Sequence, residues 1–399
     1  MTGCSATGQT EAIPWGQVVR AALPDFTQTH RLPVHHGKVL HALAAGHTAA
    51  LGGHQYQGTH CGQEHFVPHS CGNRHCASCQ RLKGAQWLEQ QTEHVLPIPC
   101  FHIVFPLPHE LNPLLQHNHG RLYSLWFSSA TATLLEFGRN NLQATLGLTA
   151  GLHPWGQNLG DHYPLHCVVS GGGVSLDGQT WVALRPQWLF PVRALSVVFR
   201  AKFRDGLQAL FDQHPLQFPR VPPDLSEPTA WARWRRRWAR RKGVVYAKRP
   251  FAGPQAVLAY LCRYTHRVAL TNSRLEALAL QDGTVAFRYK DDARGSQIRS
   301  LTLRLEEFLR RFCLHILPPR FVKIRHYGLL ANRDRPARIA QARALLAQVP
   351  PPPEPGQPTV LYVQPVEPPA LVCPHCAHPT RVLIRVLNRP KTPAVWDPS

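Results

Sequence analysis

Four cysteines and a histidine lie within nineteen residues near the N-terminus of this 399-residue chain. They follow the pattern Cys61-x9-Cys71-x3-His75-Cys76-x2-Cys79. So short a segment cannot build a hydrophobic core, whereas a zinc ion with four nitrogen or sulfur ligands can replace one. The last two cysteines have the CxxC spacing of a metal site. We predict a structural zinc, whose other ligands come from Cys61, Cys71 and His60 or His75; the alternative is a set of reduced, buried thiols.

A second cysteine pair lies close to the C-terminus, at Cys373 and Cys376. Two thiols cannot close a tetrahedral zinc site by themselves, so His375 or His378 would have to help them. In the N-terminal segment, a regular second CxxC would place a cysteine at position 58, where the chain has Gly58. The role of the C-terminal pair therefore stays open.

The charge balance indicates a polyanionic partner. The chain has 44 Lys and Arg residues against 23 Asp and Glu residues, which gives a formal net charge of +21. A field of this size favours nucleic acid, and a solubilising excess of charge is the alternative. The sequence has no apolar run of about 18 residues and no signal-peptide pattern at its start. We expect a cytoplasmic protein without membrane contact, in which CxxC pairs bind metal.

The segment at 231–242, WARWRRRWARRK, combines tryptophans and arginines on one predicted helix. The tryptophans at positions 231, 234 and 238 recur at helical spacing and should dock on the body of the protein. The other faces carry Arg235, Arg236 and Arg237, and guanidinium groups bind phosphates bidentately. We predict a DNA contact here, and a solvated helical face is the alternative.

The remaining sequence indicates a mixture of helices and strands. Helical patterns cover 31–53, 81–95, 111–138, 192–213 and 305–317, and strand patterns cover 100–108, 162–173, 179–186, 243–251, 284–292 and 297–305. Residues 1–30 show no regular pattern, and VPPPPEPGQP at 349–358 is typical of a semi-rigid linker. We divide the chain into a zinc-binding module with flanking helices (1–96), a central domain (97–335), and a tail with a helix, a Pro-rich linker and the second CxxC (336–399).

Two tyrosines, Tyr260 and Tyr264, occupy positions i and i+4 of a helix that should begin at Gly253-Pro254. Proline at the first helical position loses no hydrogen bond, and residues four apart share one helical face. Both phenols can therefore reach one site, where a phenolate can attack phosphorus and hold the product covalently. The alternative is a pair of core tyrosines with satisfied hydroxyls.

Five blocks of sequence, in fixed order between about residues 30 and 335, resemble a known family. They are HSCGNRHCASCQ (69–80), CFHIVFPLPHEL (100–111), HPWGQNLGDHYPLHCVVSGGGVSLDG (153–178), VVYAKRPFAGPQAVLAYLCRYTHRVALTNSRL (244–275) and LPPRFVKIRHYGLLANR (317–333). Together they resemble the two-tyrosine HUH transposases of the rolling-circle insertion sequence 91 family. The resemblance implies an α+β fold with an HUH-type antiparallel sheet flanked by helices, a small N-terminal Cys/His zinc module for DNA recognition and a Pro-rich C-terminal tail.

The resemblance also implies a reaction. In that family the central domain nicks one DNA strand at the end of the element, which is presented as single-stranded or hairpin DNA. Carried onto this sequence, Tyr260 and Tyr264 are the catalytic tyrosines; the first attack makes a 5′-phosphotyrosine and frees a 3′-OH, and the second tyrosine can resolve the product. A His-hydrophobic-His strand holds Mg²⁺ or Mn²⁺, which polarises the scissile phosphate.

The sequence departs from the family pattern in the metal strand, where Pro164 and His166 flank the hydrophobic position. Strand residues two apart share a face at about 6.6 Å, whereas His162 and His166 are about 13 Å apart in a regular strand. Both stay candidate ligands, because proline favours bulges that would shorten this distance. Substitute ligands are His102, if its strand pairs beside this one, and His266.

Basic residues near these blocks are expected to contact DNA phosphates and to make binding salt-dependent. They are Lys248, Arg249, Arg263, Arg267, Lys323 and Arg325. The run Gly171–Gly173 is expected to allow a close approach of DNA or a sharp turn. Two other functions stay open: a zinc-containing protein that recognises element ends without cutting, which Pro164 would favour, and an RNA-binding zinc protein, which leaves the tyrosine pair unexplained.

Overall fold

The structure is a computed structural model. It describes residues 13–92, 94–152, 155–160, 164–184, 190–213, 216–218, 225–239, 245–251, 257, 260, 268–291, 294–349, 373–376, 378 and 381–388. Within these ranges, no helix has the length and apolar character needed to cross a bilayer.

Helices and antiparallel strands alternate along the described chain. The helices are α1 (Trp15–Thr29), α2 (Val34–Ala45), α3 (Ala77–Thr92), α4 (Asn112–His117), α5 (His119–Leu142), α6 (Val192–Gln213), α7 (Pro228–Ala239), α8 (Leu305–Cys313) and α9 (Arg335–Leu346). The strands are β1 (Gly53–Gly58), β2 (Glu64–Pro68), β3 (Cys100–Pro106), β4 (Ala144–Leu152), β5 (Pro164–Ser175), β6 (Trp181–Ala183), β7 (Tyr246–Phe251), β8 (Leu275–Ala279), β9 (Thr284–Asp291), β10 (Gln297–Arg304), β11 (Ile324–Gly328) and β12 (Arg381–Leu387).

A six-stranded antiparallel sheet forms the centre of the fold. Its order is β11-β4-β5-β3-β7, and β6 pairs with the end of β5. Successive side chains of a strand point to opposite faces of the sheet. On β3, Phe101, Ile103 and Phe105 therefore enter the main core, whereas His102 faces the other side. This α+β arrangement confirms the predicted fold class.

The main core lies between this sheet and the layer of α5, α6 and α7. Helix α5 buries Trp126 and Phe127 completely. Trp231 and Trp238 of α7 are buried in the same core, and Trp234 packs against it. The predicted docking of the tryptophans is confirmed.

A second core joins the N-terminal helices to a later part of the chain. Trp15 of α1 packs against Phe308 and Phe312 of α8, with ring centroids 5.1 and 4.8 Å apart. The small sheet β10-β9-β8 contributes Phe287 to this core. Residues 1–30, which showed no regular pattern in the sequence, thus contain a helix; Pro24 lies inside α1 and interrupts the local signal.

The glycine run lies inside β5 rather than at a turn. A Cβ atom at Gly171 would come within 2.5 Å of Pro99 O, and one at Gly173 within 2.3 Å of Thr145 O. The close approach that these glycines allow is therefore made by neighbouring protein backbone. The expectation that the run meets DNA or forms a sharp turn is corrected accordingly.

Candidate active site and metal centre

Sheet register places one row of side chains across the face opposite the main core. His326 pairs with Thr149, Thr149 with Val168, and Val168 with His102. Residues directly opposite each other in a sheet share a face. His102 therefore lies near the middle of this face. His166, two residues before Val168, lies on the same face and diagonal to His102.

Tyr260 meets both imidazoles on this face. Its Oη atom is 2.5 Å from His102 Nε2 and 3.0 Å from His166 Nδ1. The two imidazole nitrogens are 2.9 Å apart. Tyr260 is in helical conformation, as is Val257 three residues before it, and both are buried against Cys100 and Val168. A phenol and two imidazoles thus converge within hydrogen-bonding distance.

The convergence suits proton transfer and cation binding. Imidazole nitrogens can accept a phenol proton or hold a divalent ion, and two nitrogens 2.9 Å apart are close enough to share one ion. The neighbouring thiols are poor nucleophiles, because burial raises the pKa of Cys100 to about 12 and also raises the pKa of Cys167. Among the described residues of this face, Tyr260 is the side chain best placed to attack phosphorus.

Two adjoining clefts lie on the side of the sheet that carries His102, His166 and Tyr260 (the Tyr260 face). The first is lined by Val168 and Val257, and the second, of about 480 Å³, by Arg74. They share His326 and Arg335 in their walls. The two clefts therefore adjoin, and the second carries the guanidinium groups of Arg335 and of Arg74, which belongs to the cysteine-rich segment.

The other residues predicted for catalysis and DNA contact have different positions. Tyr264, His162, Arg263, Arg267 and His266 lie outside the described residues. Pro164 begins β5 opposite Pro106, and Lys248 and Arg249 belong to β7. The structure does not bring the α7 arginines to Tyr260, because α7 packs on the opposite side of the sheet. There Arg236 and Arg237 are exposed, and Arg235 is half-buried.

The side chains of Lys323 and Arg325 pack on aromatic rings of the protein. Lys323 Nζ lies 5.4 Å from the ring centre of Trp155, and burial lowers the pKa of Lys323 to about 7. The Arg325 guanidinium lies 4.3 Å from the ring centre of Phe127. Both side chains are partly exposed, and Lys323 also lines the second cleft, so their phosphate contacts stay a prediction.

Three of the predicted zinc ligands come together with a histidine that the sequence did not single out. The ligand atoms of His47, Cys76 and Cys79 all lie within 4.8 Å of one another. Cys71 Sγ is 3.7 Å from Cys79 Sγ, and a hydrogen bond from Cys71 is the largest cause that lowers the pKa of Cys76. With Cys71 beside this trio, three thiols and one imidazole are available, and zinc binds such a Cys3His set tetrahedrally. The residues present therefore fit a structural zinc.

Three predicted ligands lie elsewhere, and one of them, His60, stacks on His378 with ring centroids 5.1 Å apart. Cys61 lies beside Cys373, with the two sulfur atoms 3.5 Å apart. His75 packs edge-on against Phe312, and burial, followed by the charges of Arg74 and Lys323, lowers its pKa to about 3. The sequence carries 24 histidines, so nothing in the local pattern distinguished His47, which follows α2 and precedes Cys71 by 24 positions.

His326 should make stability depend on pH. Its Nδ1 atom is 2.9 Å from Thr149 Oγ1, and burial, followed by Arg335 and His94, lowers its pKa from 6.5 to about 4. The unfolded chain therefore takes up this proton first, so the contribution is intact above about pH 6.5 and is lost as the pH falls toward 4. The loss from this one group should be at most about 3 kcal/mol.

The measurement is urea unfolding between pH 7 and pH 4. We expect His326→Asn, whose amide can keep the bond to Thr149, to lose less stability across this window than the unchanged protein. Identical pH slopes for the two proteins would contradict the assignment.

Comparison with known proteins gives two family matches, one for each site. Residues 18–107 match the model described as "Transposase zinc-binding domain", and residues 147–337 match the one described as "Putative transposase". The first range contains the Cys3His cluster, and the second contains His166 and Tyr260.

Two relatives agree with these matches. The chain is 39% identical over 392 residues to "Putative transposase y4qJ" of Sinorhizobium fredii, and the match covers 96% of each chain. It is 29% identical over 303 residues to "Transposase for insertion sequence element IS801" of Pseudomonas savastanoi pv. phaseolicola, which covers 73% of this chain and 69% of that protein. No solved structure is significantly similar to the chain.

Proposed function

Because the chain belongs to the insertion sequence 91 family of transposases, we propose that it nicks single-stranded DNA at the ends of its element and transfers the strand by a rolling-circle mechanism. The observation that carries this proposal is the position of Tyr260 Oη, 2.5 Å from His102 Nε2 and 3.0 Å from His166 Nδ1. A core tyrosine would need one hydrogen-bond partner, whereas this phenol faces two imidazoles.

The proposed step is a transesterification at phosphorus. The Tyr260 oxygen forms a bond to phosphorus while the bond from phosphorus to the 3′ oxygen breaks; the phenol gives up its proton, and the leaving 3′ oxygen gains one. The products are a 5′-phosphotyrosine and a free 3′-OH, and no net energy source is needed because one phosphodiester replaces another. Tyr264 is proposed to resolve the product.

His102 and His166 are proposed to hold the divalent cation, Mg²⁺ or Mn²⁺. When bound, this ion would act as a Lewis acid on the scissile phosphate. Two imidazoles leave most of the coordination shell to oxygen atoms, which phosphate and water supply and which these hard cations prefer. His102 thus takes the place of the histidine that the family pattern puts at Pro164. His162 stays a further candidate.

The second cleft is proposed as the path of the DNA strand. Arg74 and Arg335 line it, and it adjoins the cleft lined by Val168 and Val257. The exposed arginines Arg236 and Arg237 would contact DNA on the other side of the sheet. Lys248, Arg249, Arg263 and Arg267, which flank the tyrosine segment in the sequence, are proposed as further phosphate contacts. Such phosphate contacts make binding strongly salt-dependent.

The test is incubation of the protein with a single-stranded oligonucleotide from the element end and Mn²⁺. We expect a protein–DNA band that survives denaturation, and its loss with EDTA. The alternative is a protein that recognises element ends without cutting. In that case the unchanged protein would bind the oligonucleotide without forming the band, and the Pro164→His variant would form it.

His102→Ala should lower the initial rate of covalent product formation by about a hundredfold, because the cation loses a ligand and the phenol loses a hydrogen-bond partner. The measurement is the initial rate of adduct formation over a range of Mn²⁺ concentrations. His109→Ala is the matched control, since the side chain of His109 is 77% exposed and lies outside the site. Equal rates for the two variants would remove His102 from the mechanism.

A further inference from the structure

The C-terminal cysteine pair lies against the N-terminal module. Cys373 Sγ is 3.5 Å from Cys61 Sγ, although the two residues are 312 positions apart. The sulfur atoms of Cys61, Cys373 and Cys376 all lie within 4.8 Å of one another. None of the three belongs to the Cys3His cluster, and both family matches end before the tail, at residues 107 and 337.

We propose that Cys61, Cys373 and Cys376 bind a second zinc ion, which holds the C-terminal tail on the β1–β2 hairpin. Thiolates are the ligands that zinc selects, and three of them define three corners of a tetrahedron. In a reducing compartment such a cluster binds metal rather than forming a disulfide. This site is independent of the cleavage chemistry.

The Cys373–Cys376 turn has the hydrogen bonding of a metal-binding loop. The backbone N–H groups of Cys376 and His375 donate to the sulfur of Cys373. Cys373 N donates in turn to His378 O at 2.9 Å, and the Cys373 side chain is completely buried. Backbone donors of this kind orient a thiolate and stabilise its negative charge.

Apolar burial does little to hold the tail in place. Strand β12 pairs with β1 from Gly53↔Leu387 to Gly58↔Arg381, and the Arg381 guanidinium lies 4.4 Å from the ring centre of Tyr56. Yet the apolar side chains of β12 remain about half exposed: Val382, Leu383, Ile384 and Val386. A three-stranded sheet without a core of its own needs another source of stability, which a metal ion supplies.

Gly58 lies where a fourth ligand would complete the tetrahedral coordination of the proposed zinc. A Cβ atom at this position would lie 2.8 Å from Cys373 Sγ and 2.9 Å from Cys61 Sγ, so position 58 points at the sulfur atoms, which must shift outward to admit a side chain there. A cysteine there would repeat the CxxC spacing with Cys61. In this chain the fourth ligand is therefore water or one of the stacked imidazoles of His60 and His378, whose centroids are 5.1 Å apart.

The first test counts zinc ions in the full-length protein by native mass spectrometry. We expect two ions per chain, and one after Cys61→Ser or after the double change Cys373→Ser/Cys376→Ser. Cys313→Ala, which removes a buried thiol outside both clusters, should keep two. The proposal is overturned if Cys61→Ser keeps two ions, or if the unchanged protein holds a single ion that depends on Cys76.

The second test does not rely on removing a ligand. Gly58→Cys should complete a Cys4 site and slow the release of the second zinc to a chelator at least about tenfold. Hydrogen exchange of the β1 amides at 53–58 should rise when this zinc is removed, since β12 would leave its edge of the sheet. Unchanged release from Gly58→Cys, or unchanged β1 exchange after loss of the ion, would contradict the proposed geometry.

Discussion

Tyr260→Phe should abolish the covalent protein–DNA product while DNA binding persists. The substitution removes one oxygen atom and leaves a ring that fills the same space against Val257 and Val168. Without that oxygen no bond to phosphorus can form, so we expect a loss of at least about a thousandfold in adduct yield. The measurements are the denaturation-resistant band and, separately, the dissociation constant from fluorescence anisotropy at fixed salt.

Tyr289→Phe provides the matched control. Tyr289 packs at the edge of the second core, away from the Tyr260 face, and its loss of a hydroxyl should leave the band unchanged. The same comparison with Tyr264→Phe separates the two tyrosines of the proposed pair. An undiminished band from both Tyr260→Phe and Tyr264→Phe would show that the nucleophile lies elsewhere.

Cys76→Ser should remove the zinc of the Cys3His cluster and unfold the N-terminal module. Structural zinc contributes about 10–16 kcal/mol of apparent binding energy in small zinc domains, which exceeds the stability of most domains. The effect should extend beyond the module, because α1 shares its core with α8 through Trp15, Phe308 and Phe312. We expect one zinc fewer per chain and loss of protection in both segments.

Native mass spectrometry and hydrogen exchange measure these two losses together. His75→Ala is an informative comparison, since His75 was a predicted ligand that the structure places against Phe312. It should keep the zinc of the cluster and lose only packing. A Cys76→Ser protein with unchanged metal content would refute the Cys3His assignment.

Patterns within one element gave reliable predictions. Helix α6 spans Val192–Gln213, as its periodicity predicted, and β9 and β10 lie where two strands were predicted. The strand containing His166 was also predicted, although it begins at Pro164 and runs to Ser175. These signals are local, because side-chain periodicity follows directly from helix and strand geometry. Proline inside α1 shows the limit of such signals, since tertiary packing overrode a local helix breaker.

The sequence did not predict contacts between segments that are distant in the chain. The zinc cluster takes His47 instead of His75, and Cys61 meets Cys373 across 312 positions. Neither contact has a local sequence pattern. The spacing of residues shows which of them are near in the chain, but not which loops fold against each other. Neither β1 nor β12 was among the predicted strands, so no local sequence pattern indicated the pairing between them.

The residues predicted a cysteine-based zinc module, and the family resemblance implied an antiparallel α+β domain with Tyr260 as a nucleophile. The imidazoles that face Tyr260 became evident only in the folded structure. The register of β3 against β5 brings His102 Nε2 to 2.9 Å from His166 Nδ1. His102 thereby supplies a second imidazole beside β5, which has Pro164 where the family pattern has a histidine. Register is fixed by the packing of alternate side chains into the core, so it depends on the whole sheet and not on one strand.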